Sequence, residues 1–521
     1  MDAVGGLAGG NPVIGGLLID LAEQLILMPP TGLDAQGTRA QEVFIALHRR
    51  FEEGNRMFAI NDQYPLGSAE WLETVHNSAD ADIQVLDSMF PTGPKLVIAT
   101  RALRQRIPAL SELFTLLPNC SYDAISAYPG LLPTPGSGNQ ILSVQIRDAV
   151  SHQPVSGARV TLFEDVAHAV GDYGTSDSYG TVDLYVSGFP INVERLYVEP
   201  PLAGYWGRHD EQVPITAQAI AIDLEPVSST HVDLARTVYG QSVQDGSGVR
   251  VGVVDTGIDP NEVPVAGGWN YVNGESNYDY GDNGTGHGTH VAGIIATSQN
   301  GAPRGLAPAA EIFSYRVFSA NSLTRATSFE VSFALQRAHI DGCHLVNLSL
   351  GGLAYDEAVQ RTDTWAAEQG LVLFAAAGND WGGTVMIPAG LPNVLAVAAL
   401  GRDNTFPSGS LEAAYVGPRS ATAHSDFLAA FSNTLPHNMV ALVAPGAGIL
   451  SVRPGGGYGP LSGTSQACAV ATATAARALT NSAWLQQAPD LARSMGIKNQ
   501  LLSTAVSVGL PMHLEGYGRL S

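Results

Sequence analysis

Lysine is almost missing: Lys95 and Lys498 are the only two in 521 residues, and with arginine included the chain has 26 basic groups against 48 acidic ones, a formal charge of −22. A field of that sign repels phosphate backbones and anionic lipid heads, which argues against nucleic acid or a membrane surface as partner. Cysteine is scarce as well. Cys120, Cys343 and Cys468 cannot close a disulfide framework, and their wide spacing lacks the pairing of a zinc site. Long apolar runs are absent: the run 13–18 is too short to cross a bilayer, and no stretch reaches about 18 uninterrupted apolar residues. The first 38 residues hold no Lys or Arg, so the positive n-region of a secretory signal is missing. These absences point to a soluble, cytoplasmic protein with no secretory leader.

What is present suits a loop-rich globular enzyme: 45% apolar and 14% charged residues, with 58 Gly and 31 Pro. The length exceeds what one hydrophobic core sustains, so several domains are expected. Residues 1–131 read as an α/β region, with helical spacing over 38–51, a strand over 95–100 and a helix over 109–116. A Pro/Gly/Ser-rich linker follows at 132–139. Residues 140–226 alternate apolar and polar positions between Gly/Asp/Ser turns, the pattern of a small antiparallel β-sandwich. From 230 to 521, short continuous apolar runs (249–254, 345–350, 371–376, 394–399, 439–443) alternate with helical segments (287–297, 327–339, 354–369, 464–479). Strands of that kind belong to a parallel sheet covered by helices on both faces, an α/β layered domain.

Four segments of this last region carry chemistry. Asp255 ends an apolar strand at a Gly-containing turn, the place where open α/β sheets bind ligands, although a lone Asp there also serves as a cap. His287 opens a helix between Gly286 and Gly288; an imidazole titrating near 6.5 suits general-base work. His290 competes for that role, and three residues apart without an acidic helix partner the pair makes a poor metal site, so His290 is read as structural. Ser465 lies in a Gly463-Thr464-Ser465 turn entering an Ala-rich helix, where unpaired amides and the helix dipole favour developing negative charge; a lone Ser there is ordinarily an N-cap. Asn379 ends a buried strand and offers a side-chain amide donor. A hydroxyl nucleophile needs a base, a carboxylate to orient the base and a donor for the oxyanion, and these four segments supply one of each.

In these motifs the chain resembles the subtilisin-like serine proteases, the subtilases. The resemblance runs from about 230 to 521 and includes Asp255-Thr256-Gly257, His287-Gly288-Thr289-His290, Gly463-Thr464-Ser465, Asn347-Leu348-Ser349-Leu350-Gly351-Gly352 and Ala376-Ala377-Gly378-Asn379. The order Asp, His, Ser is that of subtilisin. The resemblance implies a subtilisin-like fold and a serine endopeptidase. Ser465 would be nucleophile, His287 general base and then acid, Asp255 its orienter, and Asn379 with the Ser465 amide the oxyanion hole. Ser349, Leu350 and Gly351, with Ala376, Ala377 and Gly378, would flank the substrate pocket, their open backbone edges pairing with an extended peptide. The alternative is a catalytically silent peptide-binding protein on the same scaffold.

The chemistry implied needs no cofactor. The acidic loop 267–283, with Glu275, Asp279 and Asp282, reads either as a structural calcium loop or as a solvated one; the identity of any metal is left unknown. The partners implied are a protein or peptide substrate and the chain's own N-terminal region as an intramolecular inhibitor that is cut away, with 95–128 its best candidate. The segment 140–226 resembles the prealbumin-like sandwich of carboxypeptidase regulatory-like domains. Three departures stand out. Gln466 follows the nucleophile where the family usually has Met, Ala469 and Val470 stand in place of the Pro-His that ends the motif, and 402–426 reads as a surface insertion that shapes the primed side or contacts a partner.

Overall fold

In the computed structural model the chain is described from Gly138 to Ser521 apart from 202–203, 241–242, 244, 299–302, 321–324 and 437–438. Before Gly138 it is described chiefly at 24–52, 83–99 and 113–124, with short gaps. It divides into two compact units: Met1–Ser121 with Thr327–Leu335 and Tyr355–Ala366, and Tyr122–Ala326 with Gln336–Ala354 and Ala367–Ser521. No helix among the described residues is long and apolar enough to cross a membrane.

The first unit is built on an antiparallel sheet in the order Met57–Phe58, Ile83–Ser88, Lys95–Ala99, Leu25–Met28, Thr115–Pro118. The expected helix over 38–51 is present as Thr38–Glu52, whose Val43, Phe44 and Leu47 pack on Leu27, Val85 and Val97. The helix expected over 109–116 is not borne out where it is described: Thr115–Pro118 is a strand paired with Leu25–Met28. On the other face Ile26, Met28, Leu96 and Leu117 pack against Phe329 and Ala358 of the helices Ser328–Ile340 and Glu357–Glu368. The chain at 119–120 caps the first of these helices: Phe329 N donates to Asn119 Oδ1 at 3.1 Å and Ser328 N to Cys120 O at 2.9 Å, satisfying amides that a helix start leaves open.

The second unit begins with two facing sheets. One runs Thr181–Val186, Gln140–Asp148, Ala219–Leu224; the other Arg208–Ile215, Ile191–Glu199, Arg159–Asp165, Val170–Thr175, Thr134–Pro135. Alternation explains them: along Thr181–Val186 every second side chain is buried, and Leu142, Val144 and Ile146 meet Val160, Leu162 and Val193 in one core. Pairing is not wholly antiparallel, because Gln140–Asp148 and Ala219–Leu224 run parallel.

The rest of this unit is a nine-stranded sheet. Val265–Asn270, Glu311–Arg316, Arg250–Asp255, Leu345–Leu348, Val372–Ala376 and Val394–Arg402 are parallel neighbours in that order. Leu442–Pro445 joins Val394–Arg402 in parallel, whereas Asp426–Ala429 and Val416–Arg419 close that edge in antiparallel fashion. The helix Thr464–Ala478 packs both on the sheet and on the helix His287–Ala296, and its Ala467, Ala469, Ala471 and Ala473 are all buried, small side chains that permit close approach on more than one side. The segment read as a surface insertion is not a free surface. It folds as a loop, a 3₁₀ turn at Leu411–Tyr415 and a hairpin, and it packs on the two-sheet module through Leu411, Tyr415, Phe163 and Tyr197.

Candidate active site

Asp255 ends a strand buried on both faces and is 1% exposed. Its Oδ1 accepts from Thr256 N at 2.7 Å and lies 2.7 Å from His287 Nδ1. That contact fixes the imidazole and puts its second nitrogen on the far side of the ring from the carboxylate. His287 is the first residue of the helix His287–Ala296, and Gly288 N donates to Thr256 Oγ1 at 2.9 Å, tying helix to strand. No larger residue fits at Gly288: a β-carbon there would stand 2.3 Å from Gly257 O. Asp282, read from the sequence only as part of the acidic loop, holds the chain ahead of the histidine. Its carboxylate accepts from Gly284 N (2.8 Å), Gly286 N (3.0 Å) and Thr289 Oγ1 (2.5 Å). His290 is fully buried, with Nε2 3.1 Å from Gly459 O, and burial holds its pKa well below the usual histidine range. A neutral ring donating to a carbonyl fits the structural reading.

Ser465 is the second residue of the helix Thr464–Ala478, which packs against the helix of His287. Its Oγ donates to Ser349 O at 3.3 Å, and Ser349 Oγ donates back to Ser465 O at 3.2 Å. Asn347 Nδ2 donates to Ser349 Oγ at 2.8 Å, while Thr472 Oγ1 donates to Asn347 Oδ1 at 3.1 Å. The expected substrate residues Ser349, Leu350 and Gly351 therefore lie directly beside the serine. On its other flank Gly378 N donates to Thr464 Oγ1 at 3.1 Å, bringing in Ala376, Ala377 and Gly378.

Asn379 is oriented by Thr464, a residue that sequence reading did not single out. Thr464 N (3.0 Å) and Oγ1 (2.9 Å) both donate to Asn379 Oδ1, which settles which end of the amide is oxygen. Nδ2 is then left buried with no partner among the described residues. A buried donor without an acceptor costs about 1–3 kcal/mol, so its retention beside the serine is a sign of use. Gln466 is a second such group, 1% exposed with neither end of its amide partnered among the described residues. The thiol of Cys468 is pushed up by burial and is a small core filler.

In the acidic loop Glu275 and Asp282 bond to groups of the protein itself. Glu275 pairs with the buried Arg316 at 2.6 Å and accepts from Ser319 Oγ at 2.8 Å, and no cluster of three His, Cys, Asp or Glu suited to a metal occurs among the described residues. The edge of Leu350–Gly351 is occupied by the chain itself: Ser121–Ala124 runs antiparallel to it, with Ala124 opposite Leu350 and Asp123 opposite Gly351.

Residues 246–518 match the profile of the subtilase family. The chain belongs to that family. Subtilisin Savinase of Lederbergia lenta is 33% identical over 267 residues, 51% of this chain and 86% of its own length. The alkaline protease of Shouchella clausii is 30% identical over 329 residues, covering 63% of this chain and 74% of its own. Thermitase of Thermoactinomyces vulgaris is 32% identical over 233 residues, 43% and 72% of the two chains. This subtilase is thus a hydrolase of the serine endopeptidase kind, acting on protein or peptide substrates with no cofactor for the chemistry. Its fold is the α/β, mostly parallel sheet that the sequence implied.

Proposed function

We propose that this subtilase cleaves peptide bonds with Ser465, His287 and Asp255 as triad and that its first substrate is its own N-terminal region. His287 Nε2 takes the Ser465 hydroxyl proton as Oγ attacks the scissile carbonyl. Asp255 keeps the Nδ1 proton in place and stabilises the imidazolium. The tetrahedral oxyanion is held by Asn379 Nδ2 and the Ser465 amide. His287 then protonates the departing amine, and the acyl-enzyme is released by water through the same steps in reverse. Ser349–Gly351 and Ala376–Gly378 hold the peptide on either side.

The observation that carries the catalytic reading is Asn379 Nδ2, oriented by Thr464 and buried without a partner next to the serine. The reading of an intramolecular inhibitor is supported by Ser121–Ala124, which takes the antiparallel place of an extended substrate on Leu350–Gly351. In this reading the two-sheet module of 140–226 is prealbumin-like and remains joined to the protease after the cut.

Wild type and Ser465→Ala are compared by intact mass and by labelling with a fluorophosphonate. Wild type is expected to be labelled and to lose a fragment ending within a few residues after Ala124; Ser465→Ala does neither. An unlabelled wild type that stays intact would overturn the proposal in favour of a silent peptide-binding scaffold. Labelling without a cut would overturn self-processing alone.

A further inference from the structure

The two-sheet module ends its chain run only a few residues before the protease begins, yet its deepest contacts are made with a segment almost two hundred residues later. His209 N donates to Gly409 O at 2.9 Å, and Leu411 N to Gly207 O at 3.3 Å. Leu411 is 4% exposed. Trp206 of the module is 2% exposed and packs with Phe406, Phe427, Ala447 and Leu450. The 3₁₀ turn Leu411–Tyr415 is therefore clamped by the module on one side.

Two paths leave that turn. Glu412, 5% exposed, accepts from Ser462 Oγ at 3.3 Å, and Ser462 Oγ in turn accepts from Gly448 N at 3.0 Å. Gly448 is where module, turn and nucleophile loop meet: a β-carbon there would stand 3.2 Å from Glu412 Cγ and 3.3 Å from the Trp206 ring. Ser462 precedes Ser465 by three residues, and Gly463 N is pinned to Gly446 O at 2.8 Å. The second path starts at Tyr415, whose ring meets that of Trp381 edge to face at 6.1 Å. Trp381 lies two residues beyond Asn379, and its N donates to Phe431 O at 3.0 Å. One turn thus reaches both the serine loop and the oxyanion loop.

We infer that the two-sheet module is a positioning platform for this active site, acting through Leu411–Tyr415 with Glu412 and Ser462 as its link to the nucleophile turn. Burial pushes the Glu412 carboxyl up, and only its own amide and the hydroxyls of Ser410 and Ser462 oppose that. The work of Glu412 is geometric, to hold the Ser462 hydroxyl and with it the start of the helix bearing Ser465. Sites left loose by an ångström lose turnover without losing the fold. The inference rests on Ser465 being the nucleophile.

The test uses the full chain with Glu412→Ala, Glu412→Gln and Ser462→Ala, each normalised by active-site titration. The readouts are kcat, KM, the rate of fluorophosphonate labelling and the melting temperature. Glu412→Ala and Ser462→Ala are expected to lower kcat and labelling rate about tenfold or more, with KM nearly unmoved, whereas Glu412→Gln, which keeps an acceptor for Ser462, recovers most of the loss. Ser462→Ala removes one hydroxyl only, so it answers the question even where Glu412→Ala does not fold. Normal kcat and labelling rate per titrated site in Ser462→Ala, whatever the melting temperature, would overturn the inference. Ser465→Ala, run alongside, reports separately on the nucleophile.

Discussion

Replacing Asn379 by Ala removes one donor and strands two others, and those effects fall on different observables. Nδ2 is a side-chain amide donor of fixed orientation, since both Thr464 contacts go to Oδ1. Its loss should cost about 3–4 kcal/mol of transition-state stabilisation, or 10²–10³ in kcat, a scale set by the corresponding donor in subtilisin itself. Thr464 N and Oγ1 meanwhile lose a buried acceptor, at about 1–3 kcal/mol of stability each. Asn379→Asp separates the two. It keeps the acceptor for Thr464, so stability recovers toward wild type, but it sets an oxygen against the developing oxyanion, so kcat falls at least as far as in Asn379→Ala. Stability should rank wild type, then Asp, then Ala, with turnover highest in wild type and lowest in Asp. Turnover of a peptide anilide and thermal melting, each on titrated enzyme, measure both orders. A kcat for Asn379→Ala within about threefold of wild type would show that Nδ2 does not bear on the reaction.

Three further outcomes follow from the same contacts. Glu330, at the start of the helix that Phe329 belongs to, has its carboxyl pushed by burial, and less so by Asp87, to about 7. Its contribution is whole below about pH 4.5 and is lost as pH rises through 7. Ser465→Ala protein should therefore melt lower at pH 8.5 than at 5.5 by an amount worth at most about 2 kcal/mol, and Glu330→Gln should flatten that slope; an unchanged slope refutes it. Gln466→Met should raise the melting temperature, because two unpartnered amide atoms leave the core, and a lower melting point would mean that the amide is satisfied after all. Asn119→Ala removes an acceptor from a helix start and should cost about 1 kcal/mol, read by hydrogen exchange at Phe329 and the residues that follow it.

Much of the protease was legible because its strands are buried on both faces, which leaves continuous apolar runs that few other structures produce. Its candidate site could be picked out because each group sits at a strand end or helix start marked by glycine. Thr464 and Asp282 were not, since a side chain that orients another leaves no pattern of its own. The segment 109–116 carries helical leucine spacing, yet Thr115–Pro118 pairs with Leu25–Met28, a partner some ninety residues away in sequence that outweighs local preference. A still greater distance along the chain hid the role of 402–426, whose apolar positions answer to Trp206 and Tyr197 rather than to any period within the segment.

Asp123 and Ala124 already lie in ladder register on the edge beside the serine. A reactant tethered there needs no collision, so maturation would proceed at a pace indifferent to dilution, a single event in the life of each molecule. Under the proposed self-processing, every later substrate would first have to find that edge vacated. The interval between synthesis and activity would then be set by how long one short ribbon of chain stays seated after the cut.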